Sequence, residues 1–552
     1  MRLSVLAIAA VVLVMPCQAR LITVDDDGPA DFSSIQAAID DANDFDVVVI
    51  QPGRYAGTSN RDISFSGKVI TVRSSDPNDP NVVAATVIDC QGTMLDQHRG
   101  FRFNNGEDAN SVLDGLTITN GYISDFEAHG GAILCSASAP TIRRCSISGN
   151  FVSSGSGGAV YCQYNAAPLI EACSINRNHA YANGGGICVA SGRTTIVDCT
   201  ITENAAEFEG GGIFTSSETS IDRCVIDLNE AGGIVCDWAS VVDVNQCDVS
   251  GNLPYDGSVG GGITCRGTAT VTRSTIVANT ARSDWFRGSS GGGITCAGGT
   301  IALSNCLIVG NRSLSGPGRF GELTPGNGGA ITCSGGSVAA TFCTIADNLA
   351  QEWGGGLYVE WADTTINNCI VWANAPDQAN GWPPTVSYSD VKSGWTELGN
   401  IDADPQFVAE GYWHDNGTPE DANDDSWTDG DYHLKSQAGR WNPMDKDWLQ
   451  DASTSPCIDA ANPGCPPATE PLPNGNRANM GAYGRTPQAS LSPDSWRNRA
   501  DLDNDLTINL SDLSIFAAYW LETDTCIPGD LDHNGSLDLN DFAIMAAGWT
   551  GQ

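Results

Sequence analysis

The chain has 552 residues and a formal net charge of −39, with 63 glycines and only 17% charged residues. The length leaves room for several domains, and the glycine content suits a turn-rich β architecture better than a helical one. Because nucleic acids and anionic membrane surfaces are polyanions, the negative charge argues against both as partners.

Residues 1–19 have the pattern of a secretory signal peptide. Arg2 precedes an uncharged apolar run over residues 3–15, which is too short to cross a bilayer. Cys17 raises the alternative of a lipoprotein, but Met15-Pro16 is a poor approach to a lipidated cysteine. No later stretch is apolar enough to span a membrane. We therefore expect a monomeric protein that is secreted and extracellular, either free or associated with the cell surface.

Residues 20–374 are predicted to form a stack of β-strand coils. A short phrase is repeated nine times at spacings of 21 to 37 residues: a glycine pair with an aliphatic residue, then Cys-x-(Ile/Val)-x-x-Asn, with Ser274 in place of the cysteine in one copy. Such self-similarity indicates a stacked array, because one unit cannot bury its apolar face alone. Short, β-branched, alternating apolar stretches indicate strands. The aliphatic residues are Ile133, Val160, Ile187, Ile213, Ile234, Ile263, Ile294, Ile331 and Leu357, and the closing asparagines are Asn150, Asn178, Asn204, Asn229, Asn252, Asn279, Asn311, Asn348 and Asn374.

Parallel strands coiled level upon level form a right-handed β-helix, in which the asparagines make one column. Asn tolerates the left-handed conformation that a sharp corner requires, and its amide can hydrogen-bond the Asn above and below. Ahead of the repeats, Phe32 to Asn43 has a helical period, and this segment is predicted to cover the open end of the first coil.

Cysteine supplies two further columns. Six coils hold two cysteines ten or eleven residues apart, and an exported protein permits disulfides. The alternative is a stack of free cysteines that act as small buried hydrophobes. Beyond the repeats, Cys457 and Cys465 are near enough in sequence to bridge.

Three consecutive coils carry insertions between the corner Asn and the next glycine pair, which contain residues 253–259, 280–290 and 312–327. Stacking predicts that these loops lie side by side along one edge. Aromatic rings beside Arg and carboxylates suit a sugar chain, although the loops could simply pack on one another. The candidate substrate-binding residues are Tyr255, Asp256, Arg282, Asp284, Trp285, Arg287, Arg319 and Glu322.

The coil pattern resembles the pectin-lyase-type superfamily of β-helices. The resemblance covers only that pattern, because neither the Asn-Thr-Asp, Asp-Asp and Gly-His-Gly set of polygalacturonases nor the signature of pectin methylesterases occurs here. If the protein is an enzyme, a polysaccharide lyase or a glycoside hydrolase is expected, and no catalytic residue is identified. His129 and His179 are candidate basic groups.

The repeat loses its rhythm after Asn374. Residues 375–485 are interpreted as irregular last coils and a C-terminal cap, with strand phrases at 386–388, 432–434, 456–458 and 480–482, and residues 486–499 as a linker.

Residues 500–552 contain two twelve-residue loops, each followed by an apolar helical segment. Oxygen-bearing residues at loop positions 1, 3, 5, 7, 9 and 12 follow the EF-hand spacing, which predicts Ca²⁺ binding. The predicted ligands are Asp501, Asp503, Asp505, Thr507, Asn509 and Asp512 in the first loop, and Asp530, Asp532, Asn534, Ser536, Asp538 and Asp541 in the second.

This duplicated loop and helix resembles a type I dockerin. The resemblance implies a small all-α, EF-hand-like domain that binds a cohesin-like module on a scaffold or cell surface. It further implies contacts through loop positions 10 and 11, which are Leu510, Ser511, Leu539 and Asn540. Position 6 is normally Gly for the tight bend, but it is Leu506 in the first loop and Gly535 in the second, so the first site is expected to be weaker.

The sequence therefore predicts a mainly β, secreted, calcium-binding β-helix protein. It is expected to act on or bind extracellular polysaccharide, as part of polysaccharide catabolism. The alternative is a non-catalytic cell-surface, adhesion or structural rod.

Overall fold

The computed structural model describes residues 19–124, 129–254, 261–283, 291–317, 322–418, 424–523 and 526–549. Residues 1–18 of the predicted signal peptide lie outside these ranges. Within them, no helix combines the length and the apolar character needed to cross a membrane.

Three long parallel sheets run along the rod, and each regular coil adds one strand to sheet C, then sheet A, then sheet B. Sheet A contains Leu21–Val24, Val47–Ile50, Thr71–Ser74, Val112–Asp114, Thr141–Arg143, Leu169–Glu171, Arg193–Val197, Glu218–Asp222, Val241–Asn245, Thr268–Thr272, Thr300–Ser304, Ser337–Thr341, Asp363–Asn367 and Thr385–Ser387. Sheet B contains Gly53–Ala56, Thr86–Asp89, Thr117–Thr119, Ser146–Ser148, Ser174–Asn176, Thr200–Thr202, Val225–Asp227, Asp248–Ser250, Thr275–Val277, Leu307–Val309, Thr344–Ala346, Ile370–Trp372 and Asp390–Val391. Sheet C contains Ile63–Ser64, Phe101–Phe103, Ile133–Ser136, Val160–Gln163, Ile187–Val189, Ile213–Thr215, Ile234–Cys236, Ile263–Cys265, Ile294–Ala297, Ile331–Ser334, Leu357–Glu360 and Ala379–Gly381.

The core is one continuous column of side chains inside the three sheets. In a single coil, Ile133, Ile142 and Ile147 come from sheets C, A and B, and all three are fully buried. Their register partners in the next coil are Val160, Ile170 and Ile175. Because strand residues alternate between the two faces, each strand buries an aliphatic residue on every level. Burial of each such side chain contributes about 1.5–3 kcal/mol.

The predicted asparagine column is confirmed, because all nine corner asparagines are buried and joined in single file. Each side-chain amide donates to the Oδ1 of the next asparagine at 2.9–3.1 Å, from Asn150 to Asn374. Gln378 closes the ladder by accepting from Asn374 at 2.9 Å. The left-handed conformation predicted for the asparagines themselves is wrong by one position. The left-handed residue precedes each asparagine, as at Arg177 and Glu203, which leaves the asparagine free to point inward.

The coil cysteines are free and buried, so the predicted coil disulfides are not formed and the alternative of small buried hydrophobes is the correct one. The backbone amide of Cys173 donates to the Sγ of Cys199 at 3.4 Å, and the amide of Cys199 donates to the Sγ of Cys224 at 3.4 Å. Thiols therefore stack along the rod between successive levels, and do not bridge across a coil. Burial raises the pKa of thiols such as Cys188 and keeps them protonated.

The N-terminal end of the rod is covered by helix α1 (Ile35–Asp41), which buries Ile35, Ala38 and Ile39. A second short helix, α2 (Pro80–Ala85), precedes a sheet B strand. The loops add small sheets, which contain Tyr122–Ile123, Phe151–Val152, His179–Ala180 and Ala205–Ala206; Thr280–Arg282, Arg312–Leu314 and Leu349–Ala350; and the pair Gly316–Pro317 and Leu323–Thr324. The described starts of two insertions thus lie side by side, as stacking predicts.

At the far end the chain forms an irregular cap. Its antiparallel pairs are Phe407–Ala409 with Asp431–Leu434, Tyr412–His414 with Ser426–Thr428, and Arg440–Asn442 with Asp447–Leu449. The strands predicted at 456–458 and 480–482 are wrong, because both segments form turns. The predicted Cys457–Cys465 bridge is also wrong: Cys465 is bonded to Cys526, and the Cys457 thiol donates to Asp390 at 3.0 Å.

The C-terminal segment contains helices α3 (Leu510–Ala518) and α4 (Leu539–Ala547), each of which follows one acidic loop. The helices and loops share a small core built from Leu502, Phe516, Leu531, Leu537 and Met545. Phe516 and Met545 are buried in this core and Leu513 packs beside them, whereas Trp520, Phe542 and Trp549 are exposed, so the core covers less of the two helices than their apolar pattern predicts.

Candidate metal centre

In the first loop, three of the predicted ligands converge. Carboxylate oxygens of Asp501, Asp503 and Asp512 lie within 4.8 Å of one another. Asp512 is positioned by helix α3, because its carboxylate accepts from the backbone amides of Leu502 at 2.6 Å and Asn509 at 2.8 Å. The amide of Leu506 donates to Asp501 at 3.0 Å, which folds the loop around its own centre.

The second loop repeats this arrangement. Oxygens of Asp530, Asp532 and Asp541 lie within 4.8 Å of one another. Asp541 accepts from the amides of Leu531 at 2.7 Å and Asp538 at 2.9 Å, and the amide of Gly535 donates to Asp530 at 2.9 Å. Both loops end in a capping box, in which residues 9 and 12 exchange hydrogen bonds and start the helix.

The other predicted ligands of the first loop bond to one another outside the acidic trio. Asp505 accepts from the amide and hydroxyl of Thr507 at 2.7 Å, and the Asn509 amide nitrogen donates to the Thr507 hydroxyl at 2.9 Å. In the second loop, Asn534 accepts from the amide of Ser536 at 2.9 Å. Asn509 and Asp538 are also the N-caps of the two helices.

The electrostatics of the first loop fit a cation. The pKa of Asp501 is raised to about 6, chiefly by burial and also by the neighbouring Asp512 and Asp503 carboxylates, against the opposing effect of Arg477. The Oδ1 of Asp501 is buried without a hydrogen-bond partner. A hard cation with oxygen ligands, such as Ca²⁺, would neutralise the trio and satisfy that oxygen. The donor set therefore fits calcium, and Asp501, Asp503 and Asp512 would hold it.

The first loop is anchored to the cap through a buried arginine. Arg477 is fully buried, and its guanidinium donates to the Asp501 carbonyl at 3.0 Å, the Asn504 side chain at 2.8 Å and the Ala461 carbonyl at 2.6 Å. Asn504 donates in turn to the Gly399 carbonyl at 2.6 Å. Burial lowers the pKa of Arg477 to about 10, so this side chain is still a cation at neutral pH.

The segment between the two loops is also fixed to the cap. The Cys465–Cys526 disulfide joins them, and Asn462 donates to the Cys526 carbonyl at 2.8 Å. The predicted linker, residues 486–499, packs along the cap as well. The Ser490 hydroxyl donates to the Leu434 carbonyl at 2.6 Å, and Arg497 donates to the Pro456 carbonyl at 2.9 Å.

The four predicted partner-binding residues lie at the starts of the two helices. Leu510 and Leu539 are 72% and 71% exposed, and each is followed by an exposed polar residue, Ser511 or Asn540. The duplication therefore presents two equivalent apolar side chains next to the acidic loops.

The predicted substrate site is described only in part. Tyr255, Asp256, Asp284, Trp285, Arg287 and Arg319 lie outside the described residues. Arg282 ends the strand Thr280–Arg282, and Glu322 precedes the strand Leu323–Thr324. Arg312, in the same insertion as Arg319, is buried: it donates to Asp425 at 2.7 Å and lies 3.9 Å from the Trp413 ring centroid. It joins the insertion to the cap.

The two candidate histidines are packed into the rod. His129 stacks on Tyr161 at 4.1 Å, and its Nδ1 accepts from the Ser156 amide at 3.0 Å. His179 stacks on Phe151 at 4.6 Å, and burial lowers its pKa. Sequence reasoning missed a third histidine, His98, which lies 2.5 Å from Asp62 and 2.9 Å from Asp96. Both of its ring nitrogens are engaged, as expected of a structural ion cluster.

Comparisons with known proteins agree with this architecture. The family described as "Right handed beta helix region" matches residues 59–213, 99–281 and 175–345, which together span slightly more than half of the chain. A second family, described as "Disaggregatase related", matches residues 387–461 in the cap. No curated protein matches the chain. Among solved structures, the chain is similar to the pectate lyase Pel9A, with 13% identity and a TM-score of 0.34 over 84% of this chain and 96% of that one. A similarity of that size says nothing about activity. The family match and the three parallel sheets show that the chain belongs to the right-handed β-helix family.

Proposed function

We propose that this protein is an extracellular, calcium-binding β-helix protein that binds or acts on polysaccharide. Its C-terminal segment attaches it to a cohesin-type module on a scaffold or cell surface. The β-helix supplies the long surface, and the two acidic loops supply the metal-dependent attachment.

The observation that carries this proposal is the convergence of two matching carboxylate trios, one per loop. Three carboxylates whose oxygens lie within 4.8 Å of one another repel unless a cation or protons neutralise them. Two sets at the same loop positions, each closed by a helix capping box, favour a duplicated Ca²⁺ module over a solvated acidic surface. Bound calcium would neutralise each trio and fix each loop against its helix.

The cohesin-type partner is supported by the exposed pair Leu510 and Leu539. Exposed leucines that recur at the same position of a duplicated unit suit a partner that buries apolar surface beside polar contacts. A double L510A/L539A variant is expected to lose binding to cohesin modules while keeping both calcium ions. Loss of calcium binding in that variant, or unchanged binding to a cohesin that the wild type binds, would contradict this assignment.

Action on polysaccharide is supported by the insertions, whose sequence combines aromatic residues with Arg and carboxylates. The test uses the full chain with calcium and a panel of pectate, alginate and neutral glycans. New reducing ends or unsaturated products would establish an enzyme, and retention without turnover would establish a binding protein. Neither product nor retention on any glycan would refute the polysaccharide part of the proposal.

A non-catalytic rod is the second candidate. It is favoured by the burial of Arg312 and its contacts with Asp425 and Trp413, because eliminative cleavage of an acidic glycan needs a cationic group that can reach the substrate. Retention without turnover in the same panel would select this candidate.

A further inference from the structure

Three exposed tryptophans lie on one corner of the rod. Trp238, Trp361 and Trp382 are 68%, 75% and 54% exposed. Each lies in the turn that leads from a sheet C strand to a sheet A strand of its coil. We call these three residues the tryptophan edge. Indole rings are among the largest apolar groups in proteins and are usually well covered, so three on one corner indicate a binding surface.

The coils between these tryptophans leave the corner open. A Cβ atom added at Gly298 would lie 3.1 Å from Cζ3 of Trp238, so this indole lies across the Gly298 corner. On the next level, Gly335 has no atom within 4 Å of such a Cβ. The following two levels carry Trp361 and Trp382, whose ring centroids are 5.3 Å apart. Along the rod, this corner therefore presents one indole ring, then an uncovered glycine level, and then a pair of indole rings.

In the two coils before it, the position of Trp361 is occupied by glycine. The backbone amide of Gly298 donates to the Ser334 carbonyl, and that of Gly335 donates to the Glu360 carbonyl, so Gly298, Gly335 and Trp361 occupy one column. All three are left-handed, with φ of 80°, 67° and 51°. Glycine adopts this conformation without strain, whereas a bulky residue does so at a cost. Because the Trp361 ring is exposed, core packing does not offset that cost.

Polar groups flank the tryptophan edge. Thr300, Ser337 and Asp363 are register neighbours at the starts of successive sheet A strands, and Glu360 ends a sheet C strand. Arg266, in the same turn of the coil after Trp238, is already paired with Glu209 at 2.6 Å and Asp237 at 3.5 Å. The flanks thus offer hydroxyls and carboxylates, which can bond sugar hydroxyls but repel uronates.

We infer that the tryptophan edge binds a neutral polysaccharide chain that lies along the rod axis. This inference rests on the proposed function and specifies its ligand. Levels of the rod are about 4.8 Å apart, which is close to the length of one sugar unit in an extended β-linked chain. The apolar faces of the sugars stack on the indoles, and their hydroxyls reach the flanking Ser337, Glu360 and Asp363.

The test compares retention of the full-length protein on cellulose, xylan, β-mannan and pectate by affinity electrophoresis and pull-down. The variants are W361A/W382A, W238A and the matched control W353A. Trp353 is 51% exposed and precedes its sheet C strand, so it lies in a different turn. Near-UV circular dichroism confirms that each variant is folded.

Wild-type protein and W353A are expected to bind a neutral glycan. W361A/W382A should bind at least about tenfold more weakly, and W238A several-fold more weakly, as is usual for central aromatic contacts. Unchanged binding by W361A/W382A would overturn the inference and leave the proposed function intact. Retention on pectate alone would overturn the neutral ligand. No retention of the wild type on any glycan would overturn both.

Discussion

The two acidic loops have the same ligand spacing but different surroundings. The first loop is fixed to the cap by Arg477 and Asn504, and it has Leu506 at position 6 with a φ of 72°. The second loop has Gly535 there with a φ of 84°, and its described side-chain contact with the cap is His533 to the Pro463 carbonyl at 2.9 Å. The first loop is therefore held rigidly, bends at a strained residue and lies beside the positive charge of Arg477. We expect it to bind calcium more weakly than the second loop.

Among the changes that probe the difference between the two loops, removal of Arg477 should have the largest effect. The R477M substitution leaves the carbonyls of Asp501 and Ala461 and the Oδ1 of Asn504 without their donor, whereas the Ala460 carbonyl keeps its hydrogen bond from the Asn504 amide. We expect a loss of about 3 kcal/mol or more in the unfolding free energy of the cap, with the first loop losing hydrogen-exchange protection. The matched control is R499M, because Arg499 donates a single bond, to Leu531 beside the second loop. Equal losses in the two variants would contradict the asymmetric anchoring.

Substitution of either position 12 separates the two sites. D512N and D541N each remove one charge from one trio, and the substituted side chain keeps an oxygen that can accept from Leu502 or Leu531. We propose two calcium ions for the wild type, so each variant should bind one. The affinity of the altered loop should fall by more than the roughly 10–100-fold that outer-shell partners cost. Calorimetric stoichiometry measures this, and two ions bound by either variant would refute the assignment of its loop.

The cap beneath the first loop should respond to pH. Burial raises the pKa of Glu470 to about 8, that of Asp390 to about 7 and that of Asp459 to about 6. These pKa values are higher in the folded protein than in the unfolded chain, so the three carboxyl groups favour folding while they are protonated. Their contribution to stability is fully present below pH 4 and is lost as pH rises through 6 to 8. The metal-free protein should have a lower melting temperature at pH 8 than at pH 5, and its unfolding free energy should be lower by about 1 kcal/mol or more.

The E470Q variant tests the source of that pH dependence. Glu470 accepts from the amides of Asn479 at 2.9 Å and Arg485 at 2.6 Å through one oxygen, and Gln can keep that oxygen in place. The variant should flatten the pH dependence of the melting temperature measured by tryptophan fluorescence. A melting temperature that rises from pH 5 to pH 8 in the wild type would contradict the account.

Exchange of the position 6 residues should have the smallest effect. L506G removes a left-handed leucine, which costs about 1 kcal/mol, and should tighten calcium binding at the first loop by up to about fivefold. The reciprocal G535A should weaken the second loop by a similar factor. Loop-specific affinities in the D541N and D512N backgrounds report each change. Weaker calcium binding by L506G would show that strain at Leu506 does not limit the calcium affinity of the first loop.

Local repetition explains why the rod could be predicted from the sequence. A residue that recurs in every repeat must occupy the same point of every level, so the spacing of Asn150 to Asn374 predicts a column. The left-handed position was misplaced because the repeat does not distinguish the corner residue from the one before it. The sequence does not determine whether the coil cysteines form disulfides, because spacing does not show whether Sγ atoms face each other across a coil or along the stack.

The cap and the tryptophan edge could not be predicted in the same way. Arg477 meets Asn504, and Cys465 meets Cys526, through packing of segments that share no repeat or motif. Trp238 and Trp361 are far apart in sequence, and only the register of the intervening coils brings them to one corner. The acidic trios, by contrast, were visible because an EF-hand-type loop collects its ligands within twelve residues.

The most direct test of the two-site account is a calorimetric calcium titration of D512N and D541N side by side. D512N retains the second loop and D541N retains the first. We expect one ion per chain in each variant, with tighter binding in D512N because Gly535 forms the bend without strain and, among the residues that the structure describes, no fully buried arginine faces the second loop. Tighter binding in D541N, or no calcium bound by either, would contradict it.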